Sequence, residues 1–142
     1  MPMTKRDLAP AEIDAFLKDN QWESLTFTGG DPYAIPMGYM YKRGDVLLGL
    51  TSTGRKMNYL KKSHKICFLV CKPRWQTPDL KESCTSLIIE GELKEVTDRV
   101  YYGLSPEPTN PGGALYRLEI SRTGTRKCTT VPCEILAARE KK

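Results

Sequence analysis

The sequence predicts a mostly β domain, a sandwich or antiparallel barrel with few helices and one short helix at the amino terminus. Three observations carry this. Only one early segment, before residue 20, has clear helical periodicity. After it come short stretches rich in β-branched, aromatic and aliphatic residues. Tight turn signals separate those stretches: Gly29-Gly30-Asp31-Pro32, Lys42-Arg43-Gly44-Asp45 and the Pro/Gly-rich 105–113. Many short strands with tight turns build a sandwich or a barrel, and closure of a barrel removes exposed edges.

The helix rests on Ile13, Phe16 and Leu17, which make one apolar stripe, with Glu12, Asp14 and Lys18 facing away. Pro10 suits its first turn, the acids complement the dipole there, and Asn20 is a stop signal. Strands are expected at 22–28, 33–41, 45–51, 65–71, 85–95, 114–121 and 129–136. The Arg43-Gly44-Asp45 turn is so short that its flanking strands must pair as an antiparallel hairpin. In 65–71 both alternating faces are apolar, as in a strand covered on both sides. A second helix is expected at Arg55–Lys62, with Met57 and Leu60 inward. No repeat or linker divides the chain, so residues 1–142 are expected to form a single domain. At 142 residues it can bury roughly two-thirds of its unfolded surface.

Composition narrows the function class. No apolar run approaches the roughly 20 residues of a membrane helix, so no membrane partner is expected. The opening MPMTKRDLAP lacks the apolar core of a secretion signal. The five cysteines are odd in number and irregularly spaced, which fits a reduced, cytoplasmic protein. Cys67 and Cys71 share a strand face roughly 13 Å apart, too far for one metal. Cys128 and Cys133 match no zinc module, so no metal site is expected. The 22 Lys and Arg against 17 Asp and Glu leave a net charge of only +5. The cationic run Arg55, Lys56, Lys61, Lys62 and Lys65 serves a solvated helix face as well as a polyanion, so no nucleic-acid partner is expected.

The sharpest local feature is Leu50-Thr51-Ser52-Thr53-Gly54-Arg55-Lys56. A strand ends, three hydroxyls follow, a glycine permits a bend, and two cations open a helix. Free N–H groups, hydroxyls, the helix dipole and the cations all favour a phosphate there. Arg can grip two phosphate oxygens at once, while Lys acts as a mobile point charge. The pattern is not a Walker loop. A plain helix cap by Thr51, Ser52 or Thr53, with a solvated Arg-Lys pair, explains the same residues.

The order of features around the loop is more specific. Asp31-Pro32-Tyr33-Ala34-Ile35-Pro36-Met37-Gly38-Tyr39 precedes the strand ending in that loop. Ser63-His64-Lys65-Ile66-Cys67-Phe68-Leu69-Val70 follows the helix, and Thr85-Ser86-Leu87-Ile88-Ile89-Glu90-Gly91-Glu92 comes later. This series resembles the pyridoxamine 5′-phosphate oxidase-like family of FMN-binding, Greek-key-like split barrels, in its nitroimidazole-reductase-like branch. The resemblance runs from about residue 8 to residue 95, and more loosely through 118–125. It implies that Ile35, Pro36, Met37 and Gly38 run along a flavin ring. It implies that Leu50, Thr51 and Ser52 meet the ring edge and ribityl chain, and that Arg55 and Lys56 hold the FMN phosphate. Ser86 would approach the cofactor near a dimer interface. It further implies a homodimer with the cofactor between subunits and a small-molecule substrate.

The departures sharpen the expectation. Related reductases often carry a His where this chain reads Leu48-Gly49-Leu50, so no catalytic side chain is assigned. The oxidase itself has an Arg near Ile35 and an Arg-containing carboxy-terminal segment, both missing here, so vitamin B6 oxidation is not expected. F420 is the alternative cofactor, with Lys61, Lys62 and Lys65 available to its acidic tail. A non-enzymatic flavin or haem carrier is a further alternative. His64, the only histidine, reads as a turn residue or as a proton donor or haem ligand. Long loops often border sites, so Arg74, Trp75, Tyr101 and Tyr102 are candidates for the substrate mouth. Loop-anchoring core contacts would explain those four equally well.

Overall fold

A computed structural model describes residues 5–51, 53–72, 84–108 and 113–128. The elements in order are β1 (Lys5–Arg6), α1 (Pro10–Asp19), β2 (Trp22–Phe27), β3 (Tyr33–Gly38), β4 (Met40–Lys42), β5 (Asp45–Thr51), α2 (Arg55–Lys62), β6 (Lys65–Lys72), β7 (Thr85–Glu95), a 3₁₀ turn (Val100–Tyr102) and β8 (Gly113–Cys128). All pairings are antiparallel. The strand order is β3-β2-β6-β7-β8-β5-β4, with β1 on β8.

That order forces the sheet to curl. β3 and β4 are the two ends of the path, yet only Tyr39 separates them in the chain. Edges that far apart in the sheet can share one residue only if the sheet wraps round until they meet. The seam lies at Gly38-Tyr39-Met40, where the Tyr39 N–H donates to the Gln21 carbonyl at 2.9 Å and the hydroxyl donates to Leu17 O at 2.8 Å. The expected single strand 33–41 is thus two strands joined at the split.

The concave face is the core. On β2, Leu25 and Phe27 point inward, and on β6 Ile66, Phe68 and Val70 do so. They meet Val46, Leu48, Leu50, Leu87, Ile89, Leu93 and Leu118, while Leu17 of α1 and Leu60 of α2 bring both helices into the same cluster. The outer face of β6 is less covered than its apolar pattern suggests. Cys67 and Leu69 are half-buried and Cys71 is exposed, because among the described residues no second layer lies over them.

Two glycines answer to close approach. A Cβ on Gly29 would sit 2.2 Å from the Tyr59 carbonyl oxygen, so the β2–β3 turn can press on α2 only with glycine there. Gly91 meets Glu119 O at the same distance, beside the irregularity at Glu90/Gly91 that lets β8 follow β7 along its whole length. The expected strand 129–136 lies outside the described residues.

Candidate functional site

α2 begins at Arg55 behind Gly54, whose φ of 107° is left-handed territory open to glycine. No side chain among the described residues caps this helix. The Thr51 hydroxyl instead donates to the Thr53 carbonyl at 3.2 Å, bracing the loop. The cap explanation is therefore not realised by Thr51 or Thr53; the Met57 N–H donates to Gly54 O at 3.2 Å, which leaves the Arg55 and Lys56 N–H groups of the first turn for an acceptor. Ser52 lies outside the described residues.

Arg55 is held from the side. Its guanidinium carbon stands 4.3 Å over the Tyr33 ring and 5.7 Å from the Tyr59 ring, and Nη2 donates to the Tyr59 hydroxyl at 3.3 Å. Tyr33 and Tyr59 stack at 5.0 Å, and Phe27 stacks on Tyr33 at 5.6 Å. These contacts hold the Arg55 proton still more tightly than usual, chiefly through the Tyr59 hydrogen bond. They also tie the start of α2 to the start of β3. Lys56 sits half-buried one residue on, with no ion pair among the described residues.

From Tyr33 the edge strand β3 leads to the seam. Tyr33, Ile35 and Met37 lean on the core; Ala34, Pro36 and Gly38 face out. At the seam a cleft of about 270 Å³ is lined by Gln21, Trp22, Gly38, Tyr39, Met40, Leu47 and Gly49. Gly49 projects outward because Val46, Leu48 and Leu50 are inward, and a Cβ added there would meet nothing within 4 Å. Gly38 and Gly49 thus leave a backbone floor bare of side chains. A second cleft, about 210 Å³, continues past Met40 and Gly49 to Leu50, Thr51 and Arg99.

The structure brings Ile35–Gly38, Leu50, Thr51 and Arg55 into one neighbourhood, through the Arg55–Tyr33 contact at one end and the shared clefts at the other. Ser86 lines neither cleft; it lies on the outer face of β7, paired with Cys71 and Arg126. Tyr102 is buried, and its hydroxyl donates to Asp45 at 2.6 Å, while Tyr101 lies beneath the Arg43 guanidinium at 4.2 Å. Arg74 and Trp75 lie outside the described residues. His64 Nδ1 is 3.0 Å from Leu93 O, and the ring meets Tyr116 edge-on. A wider cleft of about 560 Å³, elsewhere on the sheet, is bordered by Glu90, Glu92 and Glu119; Lys65 shares its lining, while Lys94 pairs with Glu92 at 3.2 Å and Arg117 with Glu119 at 3.3 Å.

Sequence reasoning missed Tyr33, Tyr59, Gly49 and Arg99 as site residues. The period-2 alternation around Gly49 was a usable signal. Arg99 had none, because only the folded topology sets its turn beside β5.

The model of the pyridoxamine 5′-phosphate oxidase family matches residues 9–100, well over half of the sequence. The chain belongs to this family. No curated protein matches it. Among solved structures, an FAD-binding protein from Mesorhizobium loti matches with a TM-score of 0.67 at 18% identity, covering 88% of this chain and 99% of that one. An FAD-binding protein from Mycobacterium smegmatis matches at 0.65 and 16%, covering 89% and 100%. A haem-binding protein from the same organism matches at 0.58 and 14%, covering 82% of this chain and 56% of its own. The fold of this family member is the split barrel, and the seam described above is its split.

Proposed function

We propose that the chain is a flavin-binding oxidoreductase subunit that holds FMN along β3. The phosphate would lie at the start of α2 and the ring over the floor of Gly38 and Gly49. The carrying observation is the joining of these two parts: a doubly cationic helix start, with no side-chain cap among the described residues, is locked through Arg55 and Tyr33 to an edge strand that ends in a cleft floored by two glycines. One end suits a phosphate monoester and the other a planar ring. The FAD-binding names of two structural relatives support a flavin, which shares its ring with FMN.

Bound there, a flavin supplies hydride or electron transfer, here from a nicotinamide donor to a small electron-poor acceptor. The protein's part is to grip the phosphate, keep the ring flat against the β3 backbone and exclude water at the seam. The outer sheet face, where half-buried Leu69 pairs with exposed Ile88, suits packing against a second copy. In that homodimer Ser86 would border the cofactor between subunits. F420 remains the alternative cofactor, although Lys61 and Lys62 stand in the last turn of α2, away from the seam. The absorption spectrum of the purified protein separates flavin, F420 and haem.

The direct test of the phosphate assignment is the double variant Arg55→Ala/Lys56→Ala, titrated with FMN by fluorescence quenching. Its affinity should fall by ~2–4 kcal/mol, the scale of lost charge-assisted contacts. An unchanged affinity would show that the pair is only a solvated helix start.

A further inference from the structure

We propose that Arg99 is the anion anchor of the cleft beside the seam, and that this cleft takes a small, ring-sized apolar molecule bearing one carboxylate. The proposal rests on the flavin reading for its place in a reaction, since it gives the substrate class of that site.

The residue is built to be still. Its carbonyl accepts from the Tyr102 and Leu104 N–H groups, each at 3.1 Å, so its backbone is fixed at the start of the 3₁₀ turn. Its Nε donates to the Ser105 carbonyl at 2.9 Å, which aims the guanidinium. That bond leaves the two terminal nitrogens, side by side, for the two oxygens of a carboxylate. Yet no acid takes them among the described residues. The adjacent Asp98 accepts from the Tyr101 N–H at 3.1 Å and so serves the turn. Arg99 is half-buried, and a carboxylate in the cleft would give its terminal N–H groups charge-assisted hydrogen bonds.

The rest of the cleft defines the ligand's body. Among the described residues, Met40, Leu50, Pro108, Ala114 and Leu115 give apolar walls, Thr51 adds a hydroxyl, and Arg99 is the charged side chain of the lining. The volume of about 210 Å³ exceeds the ~150 Å³ that encloses a benzene-sized guest. Met40 and Gly49 line this cleft and the seam cleft alike, so an occupant would lie alongside the proposed ring site.

The test measures binding of benzoate and of benzyl alcohol, by equilibrium dialysis, to the full-length protein with and without added FMN. Benzoate should bind at least about tenfold more tightly than the neutral analogue, and Arg99→Gln should erase the difference. Because that variant also loses the Ser105 contact, circular dichroism checks its fold, and Arg99→Lys should recover part of the preference. Benzoate binding that is absent, or unaltered in a folded Arg99→Gln protein, overturns the proposal. So does a loss of FMN affinity in Arg99→Gln with benzoate binding intact, which would assign Arg99 to the cofactor phosphate. Arg99-dependent benzoate binding in a protein that takes up no FMN would uphold the anion site and refute the flavin reading.

Discussion

Glu23 is the residue most at odds with its surroundings. It lies on the inward face of β2, is 5% exposed, and neither carboxyl oxygen has a hydrogen-bond partner among the described residues. Desolvation pushes its pKa up to about 8. Tyr39 at the seam is the ionisable group whose own pKa responds to it, and Asp19 acts on the same tyrosine. A carboxyl whose folded pKa lies above its unfolded value binds more protons when folded. Its contribution is complete below about pH 4.5, declines as pH rises, and is gone above about 8. Urea unfolding at pH 5 and pH 8 should show lower stability at the higher pH, and Glu23→Leu should flatten that slope. An identical slope in the variant would place the pH dependence elsewhere. Glu12 contrasts with it: on the surface, bonded to Arg6 at 2.7 Å and to the Ala9 N–H, it is held down to about 2. Neither behaviour could be read from the sequence. A lone Glu among alternating apolar residues signals a strand, but whether it finds a partner depends on β3 and α1.

At the scale of elements, local chemistry was decisive wherever an element carries its own signals. α1 starts at Pro10 and ends where the Asn20 side chain donates to Phe16 O at 2.7 Å. The Arg43-Gly44 turn has φ of 53° and 81°, as a two-residue hairpin demands. α2 and β7 occupy the expected residues. The misses are non-local. Tyr39 interrupts an unbroken β-prone run because its two sides belong to opposite edges of the sheet. β8 runs on to residue 128 because β7 offers it partners throughout, and β1 exists only by pairing with β8. The seam cleft gives the element-scale prediction. Gly49→Ile suits a strand and its Cβ would meet no atom within 4 Å, so thermal stability should hold or rise. Its side chain would fill the floor beside Gly38, and FMN affinity should fall at least about tenfold. Full affinity in that variant would remove the ring from this cleft.

For the whole molecule, composition allowed a small, mildly basic domain and excluded a membrane-spanning helix; among the described residues no helix is long and apolar enough to cross a membrane. The family followed from the order of a β-edge, a phosphate-like loop and a short helix. The proposed cofactor end of the site can be argued from the sequence because it is made of consecutive residues. The Arg99 end cannot, because residues 40, 50 and 99 meet only once the sheet has curled. A curled sheet with apolar residues on its outer face also makes the second copy part of the proposed site. One experiment reaches that claim most directly: size-exclusion chromatography of the protein mixed with FMN, followed by flavin and protein absorbance together. The flavin should travel with a species of about twice the 16.1 kDa chain, at one flavin per chain. Flavin eluting apart from the protein, at protein concentrations well above micromolar, would contradict it.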